Sequence, residues 1–394
     1  MNKVVICYDF LLGFGGLERV MAFQANSLKQ EFDTTVSFAS VKKDVAEDMF
    51  KGLKVEEHSI KKLKLSFLKI MYSFINKTLL KKYNDANCFI SHSYICSRMC
   101  SYMKKKYNIP FVVYVHHPPN FLYLQDKKTN YWGLDIGRGI ALMAGIILGP
   151  LLRIDDKNCI KSADRVLVNS NYTKGRIKQI YGVEPIVCYP TINKIFKLHD
   201  KGECEYVLKK YDINSKFIFC HGRLIPDKRY EMLVEALAYI TDKDLLVVFS
   251  GNINENYKIQ LLELANKLGV KNKMKFLGFI PDNDLIALYN LAEVFAFPAT
   301  KEDFGLVPIE AIACGCPAVA WNDNAGPSEI ITDGINGYLA NAYDVKDFAN
   351  KIEKIIVEDF KKKNRNKIAE SAKKFSDSEH SKIIKETVSS LIHK

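Results

Sequence analysis

Short, unbroken apolar runs recur along this chain, with helical patterns between them. The first run, Val4 to Tyr8, leads through Gly13, Gly15 and Gly16 into a helical pattern from about Leu17 to Gln30. Others fall at Thr35 to Ala39, Asn87 to Ser91, Phe111 to Val115, Arg165 to Asn169 and Pro185 to Tyr189. A strand covered on both faces reads as a continuous apolar run, so this alternation predicts a doubly wound parallel sheet. After Pro190-Thr191-Ile192-Asn193 the composition turns polar from Lys197 to Asp212, which predicts a linker. The alternation restarts at Phe217 to Cys220, Leu245 to Ser250, Lys275 to Leu277, Glu293 to Phe297 and Pro317 to Trp321, which predicts a second Rossmann-like domain.

A length of 394 residues agrees with two cores. The net charge of +12 implies an anionic partner: nucleotide phosphates, nucleic acid or an anionic lipid surface. Most of the lysine in runs such as Lys104-Lys105-Lys106 and Lys361-Lys362-Lys363 reads as solvated surface. The segment Lys61 to Lys82 is basic and amphipathic; it fits an anionic membrane surface or a helix packed on the sheet with its lysines outward. Gly139 to Leu152 is apolar but shorter than the ~20 residues of a spanning helix, so a buried or interfacial segment is expected. The ten cysteines are scattered, and Cys7, Cys188 and Cys220 lie inside apolar runs. Neither Cys96 with Cys100 nor Cys314 with Cys316 has a partner pair at zinc spacing. Met1-Asn2-Lys3 runs straight into a strand. The expected location is therefore the reducing cytoplasm, with a peripheral position at the cytosolic face of a membrane as its extension.

Candidate chemistry sits where strands end. Lys301-Glu302-Asp303-Phe304-Gly305-Leu306-Val307-Pro308-Ile309-Glu310-Ala311 follows the apolar run Val294 to Phe297. Glu302 stands at the start of this loop; Glu310 is expected to open a short helix, Ile309 to Cys314, that Gly315 terminates. Ligands of open α/β sheets bind outside the carboxyl ends of the strands, where helix amides favour an anion. Arg223 and Lys228, in His221-Gly222-Arg223-Leu224-x3-Lys228, supply cations suited to a diphosphate. Gly15 and Gly16 let backbone come close to a ligand. His116, in Tyr114-Val115-His116-His117-Pro118, can hydrogen-bond a hydroxyl. Asp282-Asn283-Asp284 has an Asp-x-Asp form, but a helix N-cap explains it better than a metal site.

Together these fragments resemble the retaining nucleotide-sugar glycosyltransferases of family 4, over nearly the whole chain. The wording around His116 and Glu302 is most similar to bacterial and archaeal GDP-mannose-dependent mannosyltransferases. The resemblance implies the GT-B fold, two Rossmann-like domains facing each other across a cleft. Residues 1–195 would form the acceptor domain, with a C-terminal helix in 377–394 returning onto it, and residues 213–376 the donor domain. It implies catalytic roles for His116 and Glu302, the latter on the donor sugar's hydroxyls. Donor binding would fall to Gly15, Gly16, Arg223, Lys228, Phe279, Ile280, Phe304, Gly305, Leu306 and Glu310. Among these, Arg223 and Lys228 clamp the diphosphate, Phe304 to Leu306 offer amides, Glu310 holds the ribose, and the loop at Phe279 and Ile280 meets the base. Gly326-Pro327-Ser328-Glu329 completes the pattern, Glu329 acting as ligand or cap.

The chain departs from the family where Asn120 and Tyr123 stand in place of an arginine and a tryptophan. Arg229 stands where glycine is common. No residue stands out as a covalent nucleophile, and neither a metal nor a cofactor is expected. The implied reaction moves mannose from GDP-mannose to a lipid-linked or surface-glycan oligosaccharide. A UDP-sugar donor is the alternative, and a nucleotide-sugar 2-epimerase is another enzyme of this fold. A basic nucleic-acid-binding protein would need basic residues interleaved with aromatics on one face, which are not evident, so no nucleic acid is expected. A membrane-surface protein would leave the strand-end motifs idle.

Overall fold

The computed structural model describes residues 1–11, 15–58, 76–119, 122–123 and 136–392, with backbone alone over 136–148. Most of Lys61 to Lys82, as well as Gly13 and Asn120, lies outside the described residues. The chain divides into two compact units, Met1–Thr191 with Asp377–Lys394, and Ile192–Ser376.

The first unit runs β1 (Lys3–Leu11), α1 (Gly16–Leu28), β2 (Asp33–Val41), α2 (Lys43–Met49), β3 (Lys54–Glu57), β4 (Cys88–Ser91), α3 (Tyr94–Tyr107), β5 (Phe111–Val115), α4 (Ile136–Ser162), β6 (Arg165–Val168), α5 (Asn171–Tyr181) and β7 (Ile186–Val187). Its described strands form a seven-stranded sheet in the order β3-β2-β1-β4-β5-β6-β7, each pair parallel. Alternation along β1 builds the two cores. Val4 and Ile6 face α1 and the C-terminal helix Asp377–Ile392, while Val5 and Cys7 face α3. Local signals set the helix ends. Ser93 and Ser170 accept from the backbone N–H groups of Cys96 and Thr173, and Asn108 and Gly182 close α3 and α5 in the left-handed conformation. The C-terminal helix is held through His380, which bonds Gln24 at 3.1 Å and the carbonyl of Tyr189 at 2.6 Å.

The second unit runs α6 (Lys201–Cys204), α7 (Tyr206–Lys210), β8 (Phe217–His221), α8 (Tyr230–Leu237), β9 (Leu246–Ser250), α9 (Glu255–Lys267), β10 (Met274–Gly278), α10 (Asp282–Leu291), β11 (Val294–Ala296), α11 (Leu306–Ala313), β12 (Ala318–Asn322), α12 (Pro327–Ile330), β13 (Gly337–Asn341), α13 (Val345–Val357) and α14 (Phe360–Ser371). The sheet order is β10-β9-β8-β11-β12-β13, again parallel throughout.

Three expectations need correction. Residues 197–212 are not an open linker: α6 and α7 pack on α10. The buried carboxylate of Asp284 accepts from Tyr206 Oη at 3.0 Å, Lys210 Nζ at 2.5 Å and the Tyr211 hydroxyl. Nor is Asp282-Asn283-Asp284 an N-cap, since the triplet lies inside α10. Pro281 holds that position with extended backbone, and both carboxylates lie in the first turn. The strand expected over Pro185 to Tyr189 shrinks to Ile186–Val187.

All ten cysteines are buried and free. Gly139 to Leu152 falls within α4, where Leu151 is exposed. Among the described residues no helix is long and apolar enough to cross a membrane.

The first unit buries an unusual set of titratable groups. Burial pushes His58 and His92 down to about 3, aided by Lys82 and His380 respectively, and His380 down to about 4. His116 is held well below its ordinary value by burial and by neighbouring histidines. All four stay neutral in the fold but take a proton below about 6.5 when unfolded, so stability falls as pH drops through that value. Burial also raises Asp9 and Asp156 to about 6, which returns part of the loss between pH 6 and 4. With four groups against two, the first unit is expected to lose on the order of a few kcal/mol from pH 7 to 5. Calorimetry across that range checks this; a transition of the first unit that holds or rises contradicts it.

Candidate functional site

In the second unit strand order reverses between β8 and β11, since β9 and β10 extend one side and β12 and β13 the other. A crevice opens at the carboxyl ends of such a strand pair. After β8 the chain turns at Gly222, passes the exposed Arg223, pairs Leu224 with Ile253, and makes a single 3-10 turn, Pro226–Lys228, before α8. Tyr230 Oη would lie 3.2 Å from a Cβ at Gly222, which keeps that turn tight. Beyond β11 comes the loop carrying Glu302. Lys228 Nζ meets Glu302 Oε2 at 2.7 Å, with the ammonium 5.7 Å from the centre of the Phe297 ring. The two charges expected from the sequence are thus in direct contact at the strand-order reversal.

Several contacts fix the Glu302 loop. Lys301 takes a left-handed backbone, donates its N–H to Asp323 Oδ2 at 2.8 Å, and reaches the Asp323 carbonyl with Nζ at 2.7 Å. Asp323 also accepts from Tyr343 Oη at 3.2 Å. The Gly326 N–H donates to the Glu302 carbonyl at 2.9 Å. Phe304 is buried, its ring edge-on to Phe375. Gly305, at φ 98°, is the N-cap of α11.

That helix starts at Leu306, three residues earlier than expected. Pro308 falls in the first turn, where a missing N–H is harmless, so Leu306-Val307-Pro308 can be helical. Glu310 therefore sits inside α11 rather than opening it. It is buried, and Tyr289 Oη reaches its Oε2 at 3.4 Å. After β10, Phe279 is 80% exposed while Ile280 is buried. Glu329 lies in the first turn of α12, behind Pro327 at its start.

In the first unit strand order reverses between β1 and β4. Gly15 is the N-cap of α1 and Gly16 its first residue, at the carboxyl end of β1. A Cβ on Gly15 would lie 2.3 Å from Glu18 Oε2. His116 follows β5, half-buried; Asn169 Nδ2 donates to its carbonyl at 2.9 Å. Its Nε2 is 2.9 Å from Nδ1 of His92, just past β4. His117 is exposed, and Tyr123 packs edge-on against Tyr181. Among the described residues no three metal-ligating side chains gather.

Three residues escaped sequence reasoning. His92 follows β4 as His116 follows β5, a signal that was available. Asp9, at the end of β1, accepts from Ser93 Oγ at 2.7 Å. Asp323 is the anchor of the Glu302 loop, and nothing in its local sequence links it to Lys301.

A family described as glycosyl transferases group 1 matches residues 208–375, and one described as glycosyltransferase family 4 matches residues 14–193. The chain belongs to this glycosyltransferase family, and its two parallel-sheet α/β domains have the GT-B fold of its structural neighbours. The D-inositol 3-phosphate glycosyltransferase of Mycobacterium sp. (strain KMS) is 29% identical over 213 residues, 52% of this chain and 48% of that protein. The serotype-specific mannosyltransferase WbdA of Escherichia coli is 31% identical over 170 residues, 42% of this chain and 20% of that protein. The chain thus spans about half the length, or less, of these curated relatives. The solved structure of Anabaena Alr3699/HepE in complex with UDP superposes with a TM-score of 0.78 at 19% identity, covering 99% of this chain and 100% of that one.

The Glu302 loop yields a test of its packing. A Cβ on Gly326 would lie 2.3 to 2.6 Å from the Phe304 backbone. Gly326→Ala is expected to lower the second unit's stability by roughly 1–3 kcal/mol, the usual cost of overpacking. Gly202→Ala, inside α6 with nothing within 4 Å, is expected to hold that stability or raise it by up to about 1 kcal/mol. Chemical denaturation of both variants checks the contrast.

Proposed function

We propose that the chain is a retaining, metal-independent mannosyltransferase that uses GDP-mannose and acts on a lipid-linked or surface-glycan acceptor. The observation that carries this reading is the Lys228–Glu302 pair at the reversal of strand order, in a chain of this family. Lys228 and Arg223 would bind the diphosphate, and Glu302, released from Lys228, would accept hydrogen bonds from the donor sugar's hydroxyls. Gly305 and Leu306 bring helix amides to the same place, the buried Glu310 would hold the ribose, and the loop at Phe279 and Ile280 would meet the base. Phe304, turned inward, would contribute backbone only. Gly15 and Gly16 of the first unit are proposed as further donor-binding residues.

In the transfer, the bond from the sugar's anomeric carbon to the diphosphate oxygen breaks on the face where the acceptor oxygen bonds. The acceptor's proton passes to the departing phosphate. No protein nucleophile is needed, and His116 serves the hydroxyls from the first unit, the acceptor domain in this reading. A net charge of +12 favours an acceptor carried on an anionic membrane at the cytosolic face.

The mannosyltransferase named among the relatives supports mannose. A second reading, a UDP-sugar donor, is favoured by solved complexes of the Anabaena neighbour with UDP and with UDP-glucose.

Lys228→Ala and Glu302→Ala are expected to fold normally while transfer falls by roughly 100-fold or more, as when one preorganised electrostatic contact is lost. Full activity in both would remove the site assignment. In a thermal-shift panel of GDP, UDP, ADP and their sugars, GDP and GDP-mannose are expected to stabilise the protein, by about 2.7 kcal/mol at a hundredfold excess over Kd. Stabilisation by UDP species instead would transfer the reading to the second donor. Silence from every nucleotide would overturn both.

A further inference from the structure

His92 has no part in the transfer as written, yet its surroundings constrain His116. It is buried, and its ring stacks on Tyr114 with centroids 5.4 Å apart. Its Nδ1 lies 2.9 Å from His116 Nε2, while its own Nε2 is buried and finds no hydrogen-bond partner among the described residues. The titratable groups around the pair are Tyr114 on β5, His117, His380 on the C-terminal helix, and Asp9, which is tied to the next residue, Ser93.

A neutral imidazole has one N–H and one bare nitrogen, so a hydrogen bond between two of them has only two possible directions. If His92 carried its proton on Nε2, that N–H would be buried with no acceptor among the described residues. Orphaned donors are rarer in folded proteins than under-satisfied acceptors. With the proton on Nδ1, His92 donates and leaves only a lone pair unmet. We infer that His92 donates its Nδ1–H to Nε2 of His116 and so obliges His116 to carry its own proton on Nδ1. The half-exposed ring of His116 then offers a donor N–H and no basic nitrogen. Burial holds both rings neutral and supports the same picture.

In the proposed transfer, on which this role rests, His116 is a hydrogen-bond donor to a hydroxyl or phosphate oxygen. It cannot serve as the general base. His92 is the positioning residue, and the arrangement agrees with a proton that leaves on the phosphate.

Long-range proton–nitrogen correlation spectra of the full chain, labelled on its histidine ring nitrogens and assigned with His92→Asn and His116→Gln, read the tautomer directly. The expected result at pH 7 is a protonated Nδ1 and a bare Nε2 on His116. His92→Leu removes the donor without supplying an acceptor, so the His116 proton should stay on Nδ1 while the resonance of its bare Nε2 shifts with the loss of that hydrogen bond. His92→Asn, whose amide stands near the Nδ1 position, should keep the original pattern. A protonated Nε2 on His116 in the unaltered protein overturns the inference. So does a His116 spectrum that His92→Leu leaves unchanged, and if that variant does not fold, the unaltered protein's spectrum decides alone. On transfer, His92→Leu should lower kcat/KM about tenfold, as for one lost hydrogen bond, with recovery in His92→Asn. If the unaltered protein transfers no sugar, the functional reading fails while the tautomer result stands.

Discussion

The contact between Lys228 and Glu302 is where the loops after two adjacent strands of the second unit meet. As a stabilising interaction it is minor, because both side chains keep partial access to water and such pairs contribute about 0–1 kcal/mol. Its importance is positional. Two opposite charges are held ready at one point: in the proposed reading Lys228 exchanges the carboxylate for a phosphate, and Glu302 exchanges the ammonium for hydroxyl donors. The surrounding structure serves that point: Gly326 packs under the Phe304 backbone, Asp323 grips Lys301, and Gly305 starts α11 so that its amides and Glu310 follow directly.

The first unit follows a different logic. Its strand-order reversal is lined by polar groups bonded to one another, with Asp9 on Ser93 and His92 on His116. Neutral histidines in a buried cluster fix direction as well as distance, since each must choose which nitrogen carries the proton. The cluster is expected to make the unit sensitive to acid, a cost that a purely apolar core would not carry.

Much of the fold was legible because strands buried on both faces appear as apolar runs, and the charged residues that matter follow directly after them. What was not legible has specific causes. β3 (Lys54–Glu57) is an edge strand with three charged residues, and β13 (Gly337–Asn341) offers too short an apolar stretch to register. α6 and α7 look like a polar linker because their order depends on Asp284, some seventy residues away in sequence. The start of α11 was misplaced by three residues: Leu306-Val307-Pro308 forms its first turn, where the missing N–H of Pro308 costs nothing. Candidate residues were found one by one at strand ends, whereas their partners were not. Pairing His92 with His116, or Asp323 with Lys301, requires the order of strands in the sheet, which apolar runs do not specify.

The central claim is that the carboxyl edge of β8 and β11 is a nucleotide-sugar site. A crystal structure with GDP-mannose bound tests it most directly. The account predicts the diphosphate against Arg223 and Lys228, the Lys228–Glu302 contact opened, and the ribose on Glu310. A nucleotide bound elsewhere, with that contact still closed, would contradict it.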